Sequence, residues 1–593
     1  MKKLLASFIL MLLCGPAFAK SLYVNNSGSP ACSDSTNYAT NDSSNPWCTI
    51  GRAAWGSTSR SSPNTDEAAS AGDTVYVTAG TYTGNGTGNL FQVLYNPANS
   101  GTDNNTRIVF QAVGLVKLVT TPTGGPIIGA DGKNYITWDG FYIDDTESAH
   151  IAGEDPMVMF HSSNYGTLQN STLVGHTSSE TDANFCGVAC YSATGCRIYN
   201  NDISNVVGAD TNSAAIFTYE ASYSIFEHNN ISNSTAALFI KGRADMNPDT
   251  NNVYRYNKAW NLLRFGARLG GSSGAANANN LFYQNIFHGS TSSNMWGIFQ
   301  NGNSSYTGNS FVNNTLYNVR MAWNYRDTYS GEPIIIYNNI IHTATVGVAY
   351  SDFSAPPVDH NYQHNSYYNV PSGTAFVYSP SASWTTWTTT WGLDTTSPAS
   401  TNGTDPLLAN PTDNDFRLCT ASGVPHASCT GASPALTLGV DILDLDGDSS
   451  TTDTIPAGAY VTGSETIGTI SGDTTPDSFS WNNVTGSTRA TLITSDNTTS
   501  ITGMVNGTTI SISGSTCLYS IDGGAYTYAI GTIDAGQLVV LRVTSSSAYN
   551  TPVSCSLTVG TSTVEWTVTT ETAPTETPKV SGGCSISGGV GFQ

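Results

Sequence analysis

The sequence predicts an all-β protein: a solenoid of stacked coils followed by a smaller β-sandwich. Three observations lead to this fold class. A short asparagine-centred pattern recurs at intervals of 25 to 29 residues, apolar residues alternate with period two within each repeat, and the pattern changes after Thr466. A repeat of roughly 20 to 45 residues that carries short strands is typical of solenoids, in which each coil packs on its neighbours.

Residues 1–19 have the features of a secretory signal peptide. Two lysines precede the apolar run LLASFILMLLC, and a small-residue cleavage site ends at Ala19. Leu13 stands where a lipoprotein signal has a small residue, so we expect ordinary cleavage after Ala19. No later segment is long and apolar enough for a membrane helix. The sequence therefore predicts a secreted or cell-surface bacterial protein with no transmembrane segment in its mature chain.

Composition and charge restrict the class of partner. Of the 593 residues, 58 are glycine and only 11% are charged, which is typical of secreted all-β proteins with many turns. The 43 acidic and 21 basic residues give a formal charge of −22. This balance argues against nucleic acid as a partner. We expect the protein to be a monomer.

Cysteine spacing predicts disulfides, as expected in an oxidising compartment. Three local pairs are predicted, namely Cys32 with Cys48, Cys419 with Cys429, and Cys517 with Cys555. Among Cys186, Cys190 and Cys196 we expect one disulfide and one remaining thiol, since no clustered histidine supports a metal site there. Cys584 stands apart from the others.

The repeat consists of seven copies of Asn-x-apolar-x-Asn or a close variant. They read NDISN from Asn201, NNISN from Asn229, NKAWN from Asn257, NIFHG from Asn285, NTLYN from Asn314, NIIHT from Asn339 and NSYYN from Asn365. Weaker copies begin at Asp139 and Asn170. Asparagine side chains stacked at an inward turn hydrogen-bond from one coil to the next. The first asparagine of each copy is therefore predicted to belong to an asparagine ladder.

The segments at the two ends of the repeat resemble a known family. LYVNNSGS, NPWCTIGRAAW and AGDTVYVTAGTYTG are similar to the opening of right-handed parallel β-helix (pectin-lyase-like) proteins: a first strand, a short capping helix and the first coil. GTDPLLANPTDNDFRL, ASPAL and DLDGDSSTTDTIPAGAYV resemble the closing coils of that family. The resemblance covers Ser21 to Val461 and implies a right-handed parallel β-helix over residues 20–462. This fold hosts lyases, hydrolases, adhesins and inert stalks, so it does not define a function.

The C-terminal part has a different pattern. Residues 466–570 contain short alternating strands joined by Gly/Asn turns, which predicts an immunoglobulin-like β-sandwich. YSIDGGAYT followed by VVLRVTSS resembles Ig-like modules of bacterial surface proteins. Residues 571–593 form a Pro/Thr linker and a Gly-Gly-Cys tail, which resembles the start of bacterial sorting tails.

Positive charge is concentrated between residues 239 and 271, in the stretch FIKGRADMNPDTNNVYRYNKAWNLLRFGARLGG. This stretch holds 6 of the 21 basic residues of the chain: Lys241, Arg243, Arg255, Lys258, Arg264 and Arg268. Lys241 and Arg268 are separated by one repeat. The two residues are therefore predicted to lie on adjacent coils, offset by two residues along their strands.

The same stretch resembles the active-site coils of polysaccharide lyases of the chondroitinase B and alginate lyase kind. FIKG, RYN and ARLG match that family's base lysine, its arginine-asparagine element and its Arg-x-Gly. The resemblance implies that Lys241 removes the C5 proton of a uronic acid and that Arg268 assists as acid. Ser234 and Ala236 stand where the family has two Ca²⁺-binding glutamates, so no metal is predicted at this site.

Further residues near this stretch are predicted to bind the substrate, an anionic polysaccharide. Cations around Lys241 attract an acidic sugar and favour the neutral, basic form of the amine. Tryptophan and tyrosine rings in the same coils, such as Trp260, Trp296, Trp323 and Tyr325, are candidates for sugar contacts. The predicted substrate-binding residues are Arg243, Arg255, Arg264, Glu220, Trp296 and Arg326.

Three alternatives stay open. The first is a non-enzymatic surface or matrix protein that binds glycan, acts as an adhesin or serves as a stalk. The second is a glycoside hydrolase with paired carboxylates on neighbouring coils, for which Asp327, Asp352 and Glu220 are candidates. The third is a Ca²⁺ site, the one cofactor that the sequence suggests, in the acidic segment DLDGDSSTTD. Its candidate ligands are Asp444, Asp446, Asp448 and Asp453.

Overall fold

The computed structural model describes most of the chain and divides it into two compact units, residues 1–469 and 470–593. The described residues are 19–84, 93–120, 125–145, 154–178, 184–209, 212–242, 247–270, 276–290, 295–300, 305–325, 334–351, 360–371, 373, 376–379, 381–395, 401–469, 476, 479–495, 499–501, 508–528, 531–533, 537–560 and 562–574. The predicted signal peptide and the C-terminal tail beyond residue 574 lie outside them. Among the described residues, no helix is long and apolar enough to cross a membrane.

The first unit consists almost entirely of short strands. In chain order they are β1 (Ser21–Val24), β2 (Thr74–Gly84), β3 (Ile108–Thr120), β4 (Ile128–Asp131), β5 (Ile136–Asp144), β6 (Glu154–His161), β7 (Thr167–Gln169), β8 (Thr172–Val174), β9 (Asn184–Tyr191), β10 (Arg197–Tyr199), β11 (Asp202–Ser204), β12 (Ala214–Tyr219), β13 (Ile225–Glu227), β14 (Asn230–Ser232), β15 (Ala236–Ile240), β16 (Asp249–Thr250), β17 (Val253–Arg255), β18 (Lys258–Leu262), β19 (Phe265–Leu269), β20 (Ala276–Ala278), β21 (Leu281–Tyr283), β22 (Ile286–Gly289), β23 (Trp296–Gln300), β24 (Ser305–Thr307), β25 (Ser310–Val312), β26 (Thr315–Tyr325), β27 (Ile334–Tyr337), β28 (Ile340–Ser351), β29 (His360–Gln363), β30 (Ser366–Tyr368), β31 (Val377–Ser379), β32 (Thr401–Asn402), β33 (Leu408–Asn410), β34 (Asp415–Leu418), β35 (Gly439–Val440) and β36 (Thr454–Ile455).

Strands β1 to β32 form a parallel β-helix with three long sheets. Sheet A runs β4, β6, β9, β12, β15, β19, β23, β26, β28, β31; sheet B runs β1, β2, β3, β5, β7, β10, β13, β17, β21, β25, β27, β29; sheet C runs β2, β3, β5, β8, β11, β14, β18, β22, β26, β28, β30, β32. All pairings within these sheets are parallel, and each strand pairs with its counterpart in the next coil. The predicted parallel β-helix is therefore confirmed, and parallel strands joined by crossovers take the right-handed sense almost without exception.

The N-terminal end is built as predicted, with the strand β1, a short helix and the first coil. The helix, α1 (Ile50–Trp55), begins after Thr49, whose hydroxyl accepts a hydrogen bond from the Arg52 amide at 3.1 Å. It ends at Gly56, which adopts a left-handed conformation with φ of 68°. Its apolar residues pack on the open end of the core, so the first coil is covered.

The predicted asparagine ladder is confirmed. Each side-chain amide donates to the carboxamide oxygen of the next, at 2.9 to 3.1 Å, through Asn201, Asn229, Asn257, Asn285, Asn314, Asn339 and Asn365. Asn365 donates in turn to Asp394. Ser171 occupies the position before Asn201, so the weaker copy at Asn170 is displaced from the ladder by one residue.

Two further columns run through the interior. Asn252, Asn280 and Asn309 form a second ladder, with amide-to-carboxamide distances of 3.0 and 3.1 Å, which the sequence analysis missed. Aromatic rings stack one per coil, with centroids 4.5 to 4.7 Å apart, in the order Phe226, Tyr254, Phe282 and Phe311. These columns fix the stacking of successive coils and so the register of residues on the outer faces.

Residues 403–469, here called the strap, do not form the predicted closing coils. They contain two antiparallel pairs, β33 with β34 and β35 with β36, and lie along the outer side of sheet C. The strap offers backbone carbonyls to side chains of the coils: Val440 accepts from Asn338 at 2.7 Å and Asn414 accepts from Lys258 at 2.8 Å. The strap covers the later strands of sheet C, so the outer sides of sheets A and B are the long faces that it leaves open.

The three predicted disulfides are confirmed, joining Cys32 to Cys48, Cys419 to Cys429 and Cys517 to Cys555. The disulfide expected within the trio is wrong, because Cys186, Cys190 and Cys196 are separate, buried thiols. Cys186 lies on the outer side of sheet A, whereas Cys190 and Cys196 lie in the interior of the coil.

The second unit contains β37 (Val484–Ser487), β38 (Leu492–Thr494), β39 (Thr499–Ser500), β40 (Thr508–Ser513), β41 (Leu518–Ile521), β42 (Gly531–Ile533), β43 (Leu538–Thr544), β44 (Pro552–Val559) and β45 (Ser562–Thr570). One sheet has the order β37, β45, β44, β40, β42, and in the other β43 pairs with β38, β39 and β41. The two sheets share one apolar core around Trp566 and Leu541. The immunoglobulin-like topology stays a prediction.

Candidate functional site

Lys241 and Arg268 both lie on the outer side of sheet A. Arg268 pairs with Phe239 in the neighbouring strand, and the Lys241 amide continues the same strand by donating to Thr218 O at 2.9 Å. Lys241 is therefore two residues further along its strand than Arg268, as predicted. Both cations nevertheless have the Phe239 ring as a neighbour, at 5.8 Å from Lys241 Nζ and 4.3 Å from Arg268 Cζ.

The ammonium group of Lys241 is held by polar and aromatic neighbours. Nζ donates to Asn184 Oδ1 at 2.7 Å. The ring centroids of Phe217 and Tyr219 lie 5.7 and 6.0 Å away. Aromatic faces attract a cation, so the side chain is directed along the surface of sheet A.

Arg268 is packed more tightly than Lys241. Its side chain is only 7% exposed, its Nη1 donates to Asn212 Oδ1 at 3.3 Å, and its guanidinium lies 5.4 Å from the ring of Phe265 and 6.0 Å from that of Phe299. Neither Asn184 nor Asn212 was predicted, because both lie more than 50 residues from the cations they contact.

The two cations rest on a cluster of outward apolar side chains, here called the aromatic floor. Most of its rings are buried. The exposed fractions of Phe217, Phe239 and Tyr219 are 0, 1 and 4%. They therefore hold the cations in place rather than offering flat faces to a sugar. The rings of the aromatic floor belong to Tyr191, Phe217, Tyr219, Phe239, Phe265, Trp296 and Phe299.

One outward row, here called the polar row, crosses five successive coils and shares Tyr191 and Tyr219 with the aromatic floor. Strand register places Asp131, His161, Tyr191 and Tyr219 side by side, and Lys241 continues the row. His161 Nδ1 and Asp131 Oδ1 are 2.8 Å apart. His161 follows Asp131 by 30 residues, a spacing that the asparagine repeat does not reveal.

A cleft of about 370 Å³ opens at the Asp131 end of the polar row. Trp55, Arg60 and Lys133 contribute to its walls, and Lys133 Nζ donates to Ala98 O at 2.8 Å. The cleft and the polar row together bring basic, acidic and aromatic side chains to the same side of the β-helix.

The other predicted substrate-binding residues do not converge on Lys241. Arg255 lies on sheet B, where it contacts Glu227 and the Tyr283 hydroxyl, and Arg264 is an exposed residue of the turn between sheets C and A. The prediction that these basic residues form one group is wrong. One repeat is a whole coil, so basic residues that are close in sequence lie on different faces of the β-helix. Arg243, Arg326, Asp327 and Asp352 lie outside the described residues.

Glu220 follows Tyr219 of the aromatic floor, and Trp296 is one of the floor's own rings. The Glu220 carboxylate accepts hydrogen bonds from the Ser192 hydroxyl and, at 2.7 Å, from the Asn247 amide, so it orders the turn after β12. Trp296 is half-buried, with the Arg320 guanidinium 5.4 Å from its ring. Trp323, another aromatic candidate, is a fully buried core residue.

Glu227 on sheet B is a buried carboxylate shared by two arginines. Its side chain is 4% exposed, with Arg197 Nη2 2.7 Å and Arg255 Nη2 2.6 Å from its two oxygens. Burial acts to raise the pKa of Glu227, but the hydrogen bonds from Arg197 and Arg255 outweigh it and hold this pKa below its ordinary value. The ion pairs therefore stabilise the fold while the carboxylate is charged.

We expect Glu227→Gln to lower the free energy of unfolding by about 2 kcal/mol at pH 7, because two half-exposed arginines lose their counter-charge. A depressed folded-state pKa means that this stability is present above the unfolded pKa and is lost as pH falls through the folded pKa. Denaturation at pH 7 and pH 3 checks this. The difference between the two proteins should shrink at pH 3, and a constant difference would contradict it.

The acidic segment of the strap brings its carboxylates together. Oxygens of Asp441, Asp444 and Asp446 lie within 4.8 Å of one another, as do those of Asp446, Asp448 and Asp453. Asp441, which was not among the predicted ligands, is fully buried and accepts from the Leu445 amide at 2.7 Å. Oxygen ligands of this kind suit Ca²⁺, and the Ca²⁺ site stays a prediction.

No sequence family and no curated protein sequence matches the chain. Among solved structures it is similar to pectate lyase Pel9A, with 15% identity, a TM-score of 0.41, and coverage of 74% of this chain and 96% of the other. It is also similar to XylC in complex with xylose, with 11% identity, a TM-score of 0.39 and coverage of 75% and 98%. A third similarity is to the A-module of the Azotobacter vinelandii mannuronan C-5 epimerase AlgE4, with 13% identity, a TM-score of 0.29 and coverage of 48% and 89%.

Proposed function

We propose that this is a secreted protein that binds an acidic polysaccharide along the outer side of sheet A. The observation that carries the proposal is the polar row, which has Asp131 and His161 at one end and Lys241, near Arg268, at the other, with the buried rings of Tyr191 and Tyr219 between them. Neighbouring coils are about 4.8 Å apart, a distance comparable with the length of one sugar residue. A chain lying along the helix axis would therefore meet an equivalent position in each coil.

Charge supports an anionic ligand. The protein carries a formal charge of −22, so a polyanion is repelled by most of its surface. Lys241, Arg268, Arg60 and Lys133 form a local exception on the side of the β-helix that holds the polar row. Binding to such a patch should weaken as salt rises, because exposed charges are screened.

Within this proposal, Lys241 is the candidate base for β-elimination on a uronic acid. Its amine would take the C5 proton, the C–H electron pair would form the C4–C5 double bond, and the C4–O bond would break with its electrons going to the leaving sugar oxygen, which takes a proton from water. Arg268 would offset the charge that develops on the adjacent carboxylate. His161, whose Nδ1 lies 2.8 Å from Asp131 Oδ1, is a second polar group of the same row.

The test is absorbance near 235 nm from unsaturated products formed on alginate, pectate and chondroitin, together with binding measured on the same polymers. If Lys241 is the base, Lys241→Ala should lower the rate at least 100-fold on whichever polymer is cleaved, with an unchanged melting temperature. Lys117→Ala, on sheet C and paired with Asp144, is the matched control and should keep full activity. Full activity of Lys241→Ala would contradict the assignment.

The second candidate is a non-catalytic glycan-binding protein. It is favoured by the burial of Arg268, which is 7% exposed and engaged by Asn212 and three rings. In this case no polymer yields unsaturated products, and Lys241→Ala weakens binding without any change in absorbance. The two candidates are therefore distinguished by one pair of measurements.

Secretion is part of the proposal. Three disulfides close local loops in the chain, and disulfides persist in oxidising compartments. The apolar N-terminal segment that ends at Ala19 agrees with export. N-terminal sequencing of protein from a culture supernatant should begin at Lys20.

A further inference from the structure

A second cleft, here called the sheet B cleft, lies on a different sheet from the polar row. It has a volume of about 580 Å³ and crosses the outer side of sheet B between β3 and β13. Its walls carry two arginines, two tyrosines and several neutral polar groups, and no acidic residue of the described chain lines it. The residues that decide its chemistry are Arg107, Tyr165, Gly195, Arg197 and Tyr223.

A column of tyrosines at the turn into sheet B forms one wall of the cleft. Tyr135, Tyr165, Gly195 and Tyr223 occupy the same position in four successive coils, as their backbone hydrogen bonds show. The first two rings stack with centroids 4.6 Å apart. Gly195 interrupts the column, and a Cβ placed there would lie 2.6 Å from Tyr165 Cδ1.

The glycine leaves room for the Tyr165 ring and opens a gap before the next ring. Tyr223, beyond this gap, is 66% exposed, and Tyr165 is 37% exposed. An exposed tyrosine ring leaves apolar surface in contact with water, which is unfavourable unless another group packs against the ring. The two rings border the cleft on either side of Gly195 and present flat faces, which sugar rings commonly pack against.

Arg107 forms the floor of the cleft and is fixed in position. Its Nε donates to Thr137 Oγ1 at 2.8 Å, its Nη1 to Asn104 Oδ1 at 2.9 Å, and its Nη2 to Thr167 Oγ1 at 2.6 Å and to the Tyr165 carbonyl. All these acceptors are neutral. Burial lowers the pKa of Arg107, and no carboxylate among the contacts given above offsets this effect.

Arg197 adds a second positive charge to the same cleft. It donates to Glu227 at 2.9 and 2.7 Å, but that carboxylate also neutralises Arg255. One carboxylate therefore serves two arginines, and among the described residues Arg107 contacts only neutral acceptors. The side chain of Arg197 is 45% exposed, so part of the guanidinium faces the cleft. A fixed, charge-deficient arginine pair is suited to a carboxylate, which it can bind through charge-assisted hydrogen bonds.

We propose that the sheet B cleft is a separate binding site for an acidic saccharide, with the sugar ring against Tyr223 and Tyr165 and its carboxylate facing Arg107 and Arg197. This site lies on a different sheet from Lys241 and does not depend on the proposed function of sheet A. A site on each of two faces would give the protein two contacts with a glycan matrix and raise its apparent affinity through multivalency.

The test is isothermal titration of the full-length protein with tetragalacturonate and with its fully methyl-esterified form. Lys241→Ala is used as the background, so that the sheet A site does not contribute. We expect Tyr223→Ala in that background to weaken tetragalacturonate binding at least 10-fold, and Arg107→Gln to do the same. Tyr528→Ala is the matched control, since Tyr528 is a 75% exposed tyrosine of the second unit. It should leave the affinity unchanged.

Three results would overturn the proposal. One is loss of all saccharide binding in Lys241→Ala alone, which would assign binding to sheet A. Another is equal affinity for the acidic and esterified oligosaccharides, which would remove the role of the arginines. The third is unchanged affinity in Tyr223→Ala, a surface substitution that is not expected to disturb folding. Loss of affinity in Tyr223→Ala at an unchanged melting temperature supports the site even if Arg107→Gln fails to fold.

Discussion

Replacing Asn257 by alanine is expected to lower the free energy of unfolding of the β-helix by about 4 kcal/mol. The side chain is fully buried and makes four hydrogen bonds. Its amide donates to Phe226 O and Asn285 Oδ1, both at 2.9 Å, and its oxygen accepts from the amide and side chain of Asn229. Alanine leaves these partners buried without a replacement, and each orphaned group costs roughly 1–3 kcal/mol.

The measurement is chemical denaturation followed by tryptophan fluorescence, with Asn361→Ala as the matched control. Asn361 also lies in a β-helix strand, but it is exposed, donating to the Tyr337 hydroxyl at 2.7 Å and accepting from Gln363 Nε2 at 3.3 Å. Its replacement should change the free energy of unfolding by less than about 0.5 kcal/mol. Equal effects of the two substitutions would show that the ladder does not stabilise the stacking of coils.

The ladder was predictable because one side chain type recurs at one position of every coil. Asn201 to Asn365 keep a spacing near 28 residues, and the interior of a coil tolerates few changes of length at that turn. The second ladder through Asn252, Asn280 and Asn309 has the same spacing and was present in the sequence as a second asparagine period. With Asn252, Asn280 and Asn309 as its members, it is a shorter and weaker pattern in the sequence than the seven-member ladder.

The site was harder to predict because it depends on the direction in which each side chain points, and the spacing of the repeat does not give that direction. Lys241 and Arg268 were placed on adjacent coils with the correct offset, since both end strands of one sheet. Arg255 was grouped with them because it is close in sequence, although its side chain lies on the outer side of sheet B. Asn184 and Asn212, which hold the two cations, come from earlier coils, and no local pattern marks them.

The strap shows a related limit. Its segments resemble closing coils because they contain short apolar runs separated by turns. Their antiparallel pairing depends on where the chain leaves the last coil. The strap then packs on outward apolar residues of sheet C, such as Ile286 and Ile340. This is a tertiary contact between residues more than 60 positions apart, which periodicity does not encode.

Asp249 gives the β-helix an unusual dependence on pH. The residue is fully buried at the start of β16, where its Oδ1 accepts from the Ala221 amide at 2.9 Å. Burial raises the pKa of Asp249 to about 7, although the hydrogen bond from Ala221 favours the charged form. The unfolded chain releases this proton near pH 4. Between about pH 4 and pH 7 the folded state therefore binds more protons than the unfolded state, and stability falls as pH rises.

Asp249→Asn should remove this loss, because the amide keeps an oxygen for Ala221 and carries no charge. The folded and unfolded pKa values differ by about three units and each unit is worth about 1.4 kcal/mol, so we expect the variant to be about 4 kcal/mol more stable than the wild type at pH 8 and similar to it at pH 4. Denaturation at both values checks the sign. Asn277→Asp, at the paired position of the next coil, should act in the opposite direction and lose stability between the same limits. A gain from Asp249→Asn that is equal at pH 4 and pH 8 would assign the effect to packing, because only a group that titrates between them makes the gain depend on pH.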